Sequence, residues 1–331
     1  MNPDAYADLR RMAQGFGLSR ALMTAAELGV ADQLAGGPLI AATLADRIVC
    51  DGGALARLLR TLANHGVLER LSDDRYALNA LAQGLRADDP DSLHAWLLSL
   101  SELAWLPWAA LTASVRSGAA SFPAAHGTSR YQHLAAHPAA AAHFDAAMAA
   151  FSRHAISAIL AAIDFSGDRR IADLGGGDGT LIGAILRTNP AAHGVLFERE
   201  DAIAAARGAL DDPELRARLE LTVGDFSASV PTGADTYILK DVLHNWDDET
   251  ALTILRNCAA AMDADARLLL IEPLLAEGGD PLADFLDLHM LVMHGGRERS
   301  LAELEDLLAR AGLSASRSIG TSSGRIVEAH R

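Results

Sequence analysis

Cysteine, lysine and aromatic side chains are scarce in this sequence of 331 residues. The two cysteines, Cys50 and Cys258, are too few for a disulfide framework and suit a reducing compartment. No run of about 18 apolar residues occurs, so no segment is expected to span a membrane. The first residues, MNPDAYADLRRM, lack the charged and then apolar layout of a signal peptide. We therefore expect a cytoplasmic protein.

Positive charge is also in short supply. Lysine and arginine together number 28 against 43 aspartate and glutamate residues, which makes the formal net charge −15. Such a balance argues against broad electrostatic binding of nucleic acid or of an anionic membrane surface. Half of the residues are apolar and 21% are charged, which is typical of a globular protein rather than a disordered one. Lys240 is the only lysine, which is consistent with a specific task for its ammonium group.

The N-terminal 90 residues predict short helices followed by a small hairpin. Apolar residues recur at helical intervals in GFGLSRALMTAAELGVADQL and in GALARLLRTLANHG, and VLERLSDDRYALN contains two strand-like pieces around a polar turn. Helix, helix and hairpin in this order is a winged-helix pattern. Residues 1–91 carry nine arginines against twelve acidic residues, whereas a DNA-binding module presents a basic face. We therefore predict a packing or dimerisation module.

The rest of the chain changes character near residue 165. Residues 91–164 are predicted to form a helical linker that contributes to a substrate pocket, and residues 165–331 a second domain. Strand-like and helical segments alternate from Arg170 onward, which is typical of a parallel α/β sheet. The candidate strands are RIADL, HGVLF, LELTV, DTYILK and RLLLIE. Two final pieces, LSASRSIG and GRIVEAH, are predicted to close the sheet as an antiparallel hairpin.

A glycine-rich turn follows the first of these strands, in IADLGGGDGT. Glycines such as Gly175 and Gly177 let the backbone approach a ligand and adopt positive φ. The spacing departs from the G-x-G-x-x-G of dinucleotide-binding loops. Asp173 precedes the glycines, where it would repel a pyrophosphate but could approach a cation. Glu198 closes the next strand, where an acid can accept hydrogen bonds from both ribose hydroxyls.

Asp225 and Phe226 close the third strand, where a carboxylate and an aromatic face would meet an adenine. Ribose, adenine and a positive sulfonium without phosphates match this set better than NAD does. We therefore predict S-adenosylmethionine as the cofactor, with an NAD-dependent oxidoreductase as a distant alternative.

The string GDFSASVPTGADTYILKDVLHNWDDETALTILRNC closely resembles the motif region of S-adenosylmethionine-dependent small-molecule O-methyltransferases of the caffeate, hydroxyindole and antibiotic-tailoring type. The resemblance covers nearly the whole chain, including DLGGGDG, IEP, DLHMLVMHGGRERS and GRIVEA. It implies a winged-helix-like domain that builds an interlocked homodimer, followed by a doubly wound, Rossmann-like methyltransferase sheet. By this resemblance, the cofactor-contacting positions are Gly175, Glu198, Asp225, Phe226 and Lys240.

The same resemblance implies that His244 is a general base. A phenolic hydroxyl attacks a methyl group better as phenolate, and histidine titrates near neutral pH. An imidazole in this role needs a partner on its other nitrogen, which fixes tautomer and orientation. By resemblance, Glu272 and Glu298 supply that partner.

Several positions depart from the family pattern. Asn245 follows the base where aspartate is usual, His294 precedes GGRER, and Arg130 stands where an aromatic or aliphatic residue is more common. One alternative follows: His244, His294 and a nearby oxygen donor could bind Fe or Zn, with Arg130 on a substrate carboxylate, for C-methylation of an enolisable 2-keto acid. Otherwise His294 lines the pocket and hydrogen-bonds a substrate hydroxyl, and no metal is expected.

The favoured function is methylation of a small-molecule, aromatic hydroxyl in secondary metabolism such as antibiotic biosynthesis. A non-catalytic ligand-sensing regulator is a distant alternative, which the intact His244, Glu272 and Glu298 set disfavours. The predicted partners are a small-molecule substrate and a second copy of the chain, without nucleic acid or membrane. The residues predicted to contact substrate are Trp108, Arg130, Met148, His289, Met290, Met293 and His294.

Overall fold

The computed structural model describes residues 2–210, 212–321 and 324–331. The chain divides into two compact units, one formed by Met1–Trp105 with Ala139–Ala150 and the other by Leu106–Pro138 with Phe151–Arg331. The long helix Pro138–Ala162 contributes residues to both. The domain boundaries at residues 90 and 164 stay a prediction. Within the described part of the chain, no helix is long and apolar enough to cross a membrane.

The first unit is mostly helical and carries the predicted hairpin. The helix Gly52–Asn64 is capped by the Asp51 carboxylate, which accepts a hydrogen bond from the Ala54 N–H at 2.7 Å. The hairpin strands Leu68–Arg70 and Arg75–Leu78 pair antiparallel, and a short strand, Leu39–Ile40, adds a third member that the sequence did not reveal. The helical segments of this unit are Pro3–Ala13, Gly15–Glu27, Val30–Leu34, Ala41–Ile48, Gly52–Asn64, Ala80–Gln83, His94–Ser99 and the π-helical Leu100–Ala104.

Seven strands form the large sheet of the second unit. In chain order they are β1 (Arg170–Leu174), β2 (His193–Glu198), β3 (Leu219–Val223), β4 (Thr236–Lys240), β5 (Arg267–Glu272), β6 (Ser314–Thr321) and β7 (Gly324–His330). Their order across the sheet is β6-β7-β5-β4-β1-β2-β3. All neighbours are parallel except β7, which runs antiparallel to both β5 and β6. The predicted doubly wound sheet with a C-terminal antiparallel pair is confirmed, while Ser322 and Ser323 lie outside the described residues.

Helices cover both faces of the sheet, because its strands carry apolar side chains on each side. One face packs under the helices Asp248–Ala261 and Leu301–Arg310, and the other under Thr180–Thr188 and Glu200–Ala209. The remaining helical segments are Trp105–Ala109, Leu111–Ser117, Phe122–His126, Arg130–Ala136, Pro213–Arg216, Pro281–His294 and the 3₁₀ turn Leu243–Asn245. A two-stranded parallel pair joins Leu274–Leu275 to Arg299–Ser300.

The strand order reverses at β1, which lies between β4 and β2. In open α/β sheets, ligands bind beyond the carboxyl ends of the strands at such a reversal. A ligand site is therefore expected at the turns that follow β1, β2, β4 and β5.

Candidate active site

The glycine-rich turn after β1 is shaped by positive φ angles and by close packing. Gly175 and Gly177 have φ values of 76° and 60°, which favour glycine. A Cβ on Gly175 would lie 3.0 Å from Val242 Cγ2 and 3.3 Å from Phe226 Cε1. A Cβ on Gly176 would collide with the Asp173 carboxylate. The turn thus brings the backbone, the Phe226 ring and Asp173 together.

Asp173 is fully buried at the end of β1. Neither carboxylate oxygen accepts a well-formed hydrogen bond among the described residues. Burial raises the pKa of Asp173 to about 7, although the nearby Lys240 ammonium opposes the rise. A buried carboxyl group whose oxygens accept no well-formed hydrogen bond is a costly arrangement, and a ligand with positive charge would reduce that cost. Asp173 therefore fits a cofactor that carries a cationic group.

Lys240 ends β4 on the same edge of the sheet. Burial disfavours its charge, but Asp241, Asp173 and Glu272 outweigh burial, so the pKa of Lys240 is raised. Its ammonium forms an ion pair with Asp241. The ammonium group of Lys240, the only lysine of the chain, therefore stays charged near Asp173 at the end of β1 and Asp241 after β4.

Glu198 and Asp225 stand at the ends of β2 and β3. The Glu198 carboxylate accepts a hydrogen bond from the Arg199 N–H at 2.5 Å. The exposed Asp225 accepts from the N–H and the hydroxyl of Ser227 at 2.8 and 2.6 Å. Both carboxylates lie at the carboxyl ends of their strands, and their contacts with a cofactor stay a prediction.

His244 lies in the short 3₁₀ turn after β4, and two glutamates approach its Nδ1. Glu298 Oε1 lies 2.9 Å from this nitrogen and Glu272 Oε2 lies 3.7 Å from it. Glu298 is fully buried, and its backbone N–H donates to Asp287 Oδ1 at 2.9 Å. The three residues that the resemblance implies are therefore in contact in the structure.

The charges of this group favour a proton on the imidazole. Burial alone would lower the pKa of His244, but Glu272 and Glu298 outweigh it and raise that pKa to about 9. Burial also raises the pKa of Glu272 to about 7. Nδ1 faces the glutamates, which leaves Nε2 as the nitrogen that can exchange a proton with a ligand.

The turn that carries His244 is held by residues far away in sequence. Glu272 Oε1 accepts the N–H groups of Val242 and Leu243 at 3.0 and 2.7 Å. The buried Arg299 donates to the carbonyl oxygens of Leu243 and Trp246, both at 2.9 Å. Arg299 has no motif of its own in the sequence analysis, which missed it.

Arg130 and His294 are in direct contact. The Arg130 guanidinium lies 2.6 Å from His294 Nε2. Burial lowers the pKa of Arg130 to about 10, and it lowers that of His294 well below its usual range, with Arg130 adding to the effect. His294 is thus a neutral acceptor for a charged guanidinium. Beside it, Tyr131 packs on His294 with ring centroids 5.3 Å apart, and the sequence analysis did not single out this tyrosine.

The other predicted substrate residues fall into two places. Trp108 Nε1 donates to His289 Nδ1 at 3.1 Å, and burial lowers the pKa of His289 to about 3. Met290 and Met293 are buried on the same helix as His289. Met148 belongs to the first unit, so its part in a substrate pocket stays a prediction.

The predicted metal pair is not supported. His294 Nε2 contacts a guanidinium, which would repel a cation, and His244 Nδ1 contacts Glu298. Within the described residues, the histidine, cysteine and acidic side chains that could surround an ion are His244, Glu272 and Glu298, without His294. The structure therefore gives no support to the hypothesis of metal-assisted C-methylation through His244 and His294.

Two sequence profiles match the chain. Residues 108–314 match the O-methyltransferase domain, and residues 11–88 match the O-methyltransferase dimerisation domain. The chain is 41% identical over 323 residues to the mitomycin biosynthesis 6-O-methyltransferase of Streptomyces lavendulae, with 96% of this chain and 92% of that protein covered.

Solved structures agree with this assignment. The mitomycin 7-O-methyltransferase MmcR matches with a TM-score of 0.95 at 40% identity, over 99% of this chain and 98% of that one. The O-methyltransferase NcsB1 from neocarzinostatin biosynthesis, in complex with S-adenosylmethionine and 2-hydroxy-5-methyl naphthoic acid, matches with a TM-score of 0.85 at 34% identity, over 95% of each chain. The chain therefore belongs to the O-methyltransferase family and is an S-adenosylmethionine-dependent methyltransferase.

Proposed function

We propose that this enzyme methylates an aromatic hydroxyl of a small secondary metabolite and that His244 takes up the hydroxyl proton. The contact of His244 Nδ1 with Glu298 at 2.9 Å carries the proposal, because it orients the imidazole and stabilises the charge gained on protonation. The relatives named above are O-methyltransferases of antibiotic biosynthesis, which supports the substrate class.

The cofactor supplies a methyl group on a positively charged sulfur. We propose that Asp173, Gly175, Gly177, Glu198, Asp225, Phe226 and Lys240 hold it. The burial of Asp173 and the contact of Phe226 with Gly175 support this set. Much of the rate in such a displacement comes from aligning the nucleophile behind the methyl group.

On the substrate side, we propose that Trp108, Arg130, Met148, His289, Met290, Met293 and His294 line the acceptor pocket. Burial favours neutral His289 and neutral His294, so both can accept or donate hydrogen bonds without adding charge. Among these pocket residues, Arg130 supplies a positive charge. We also propose a dimerisation domain over residues 1–90, a helical pocket segment over 91–164 and a methyltransferase domain over 165–331.

Cofactor affinity is expected to rise with pH because of Asp173. The pKa of this carboxyl is raised to about 7, so it is mostly protonated at pH 5.5 and gains charge as pH rises. A cationic ligand prefers the ionised form. Calorimetry with S-adenosylmethionine between pH 5.5 and 7 should show tightening of up to about tenfold per pH unit.

Asp173→Asn should bind more weakly at pH 7 and lose this pH dependence. Asp306→Asn, an exposed carboxylate on the helix Leu301–Arg310, is the matched control and should behave as wild type. Equal pH dependence in wild type and Asp173→Asn would rule out this role of Asp173.

We also propose that the enzyme is a homodimer through its N-terminal helices. Tyr6, Leu9, Met12 and Phe16 are 56%, 62%, 76% and 70% exposed and recur at helical spacing. An obligate homodimer buries roughly 2,000 Å² or more, with an apolar interface. Light scattering should report twice the chain mass at micromolar concentration, and Leu9→Asp with Phe16→Asp should shift the protein toward monomer. A stable wild-type monomer with full activity would disprove this.

A further inference from the structure

The turn between β4 and the helix Asp248–Ala261 has an unusual backbone. Asp241, the first residue after β4, has φ of 54°, a left-handed value that is uncommon outside glycine. Such a conformation is strained and persists only where the surroundings impose it. The 3₁₀ turn Leu243–Asn245, which carries His244, follows at once. The position of the imidazole therefore depends on what holds this strained segment.

Asn245 provides hydrogen bonds to this segment from inside the turn. Its side-chain Nδ2 donates to the carbonyl oxygen of Asp241 at 3.0 Å and to that of Val242 at 3.3 Å. Its backbone N–H also donates to the Val242 oxygen at 3.2 Å. The carbonyl oxygens of the strained residue and of the residue after it thus both accept hydrogen bonds from the Asn245 side chain.

The other side chains that hold this turn bind backbone groups different from those that Asn245 binds. Glu272 accepts hydrogen bonds from the N–H groups of Val242 and Leu243. Arg299 donates hydrogen bonds to the carbonyl oxygens of Leu243 and Trp246. These partners do not reach the carbonyl oxygens of Asp241 and Val242. Gly296 packs so closely on the His244 carbonyl that a Cβ there would collide with it.

We propose that Asn245 is a positioning residue for His244, because its carboxamide donates two hydrogen bonds that hold the backbone between the left-handed Asp241 and the turn that carries the imidazole. A carboxylate at this position cannot donate. The proposal rests on the proposed role of His244 as the proton acceptor.

Replacing Asn245 by aspartate would have two separable effects. The donors to the turn would be lost, and a negative charge would be added close to the imidazole. The titratable groups that already face His244 are Glu272 on β5, Glu298 before Arg299, Asp241 after β4, and His289 and His294 on the helix Pro281–His294. One more carboxylate would favour the imidazolium further.

The test compares donors at one position. Asn245→Ala removes both hydrogen bonds, Asn245→Ser keeps one short donor that can reach a carbonyl four residues earlier, and Asn245→Asp removes both and adds charge. The assay measures turnover with S-adenosylmethionine and the best acceptor from a panel of phenols and hydroxynaphthoates. Histidine NMR measures the pKa of His244 in the same proteins without an acceptor.

Turnover should fall by about ten- to a hundredfold in the alanine variant, the range for a displaced reacting group, and less in the serine variant. The pKa of His244 should rise in Asn245→Asp alone. Asn189→Asp is the matched control, because Asn189 Nδ2 also donates to a backbone carbonyl, that of Ile185 at 2.9 Å, at the end of another helix. It should leave turnover and the pKa of His244 unchanged.

The proposal is overturned if Asn245→Ala, which removes both hydrogen bonds without adding charge, matches wild type in turnover. It is also overturned if the lower turnover is explained wholly by loss of folded protein. His244→Ala is measured in parallel. If that variant retains wild-type turnover, the proposed role of His244 fails. If it is inactive while the Asn245 variants match wild type, only the positioning role fails.

Discussion

His244→Ala is expected to lower turnover by about two to four orders of magnitude, which is the usual contribution of a positioned base. The imidazole is the group whose basicity two glutamates support, and no other described residue shares that arrangement with both Glu272 and Glu298. The affinity for S-adenosylmethionine should barely change, since we place the cofactor on the turn after β1 rather than on the imidazole.

The matched control is His193→Ala, an exposed histidine at the start of β2, at the opposite end of the strand from Glu198. It should retain wild-type turnover. Rapid-quench measurement of methyl transfer in a single turnover separates the chemical step from product release. A His244→Ala enzyme that transfers the methyl group at the wild-type rate would show that the enzyme acts by alignment alone.

Glu298→Gln is expected to have the second largest effect, a loss of about a hundredfold or more. Glu298 accepts the shortest contact with Nδ1 of His244, so an amide there removes the negative charge that supports the imidazolium and permits the wrong tautomer. The pKa of His244 should fall toward its ordinary value, because the glutamates are what raise it.

Two other variants test whether the loss of turnover is specific to Glu298. Glu272→Gln keeps an oxygen for the N–H groups of Val242 and Leu243, and its carboxylate lies farther from Nδ1, so it should lose less. Glu305→Gln, exposed on the helix Leu301–Arg310, should match wild type. A Glu298→Gln enzyme with wild-type turnover and an unchanged pKa of His244 would contradict the assigned orientation of the imidazole.

The fold was predictable because its signals are local. The predicted strands RIADL and RLLLIE have the same first and last residues as β1 and β5 in the structure. Such strands are easy to recognise because a strand buried on both faces has a continuous apolar sequence. Parallel strands also place their carboxyl ends on one edge, so Asp173, Glu198 and Lys240 could be assigned to that edge from their positions at strand ends.

The contacts that position His244 were not predictable in the same way. Arg299 and Asn245 act on backbone carbonyl oxygens, which every residue possesses and which therefore leave no mark in the sequence. The sequence indicated only that Asn245 lacks a charge, whereas the structure shows that it donates hydrogen bonds. The pairing of His294 with Arg130 links two separate helices, and this tertiary contact, which leaves the metal hypothesis unsupported, has no signal in the sequence.

The pH dependence of single-turnover methyl transfer, measured for wild type and His244→Ala with the same phenolic acceptor, tests the central claim most directly. The base must be unprotonated, and its pKa is raised to about 9, so the wild-type rate should rise with pH between 7 and 9. His244→Ala should be slower throughout and should lack the step that belongs to the imidazole. An identical pH step of identical height in both enzymes would assign it to the acceptor itself and contradict a role for His244 as the base.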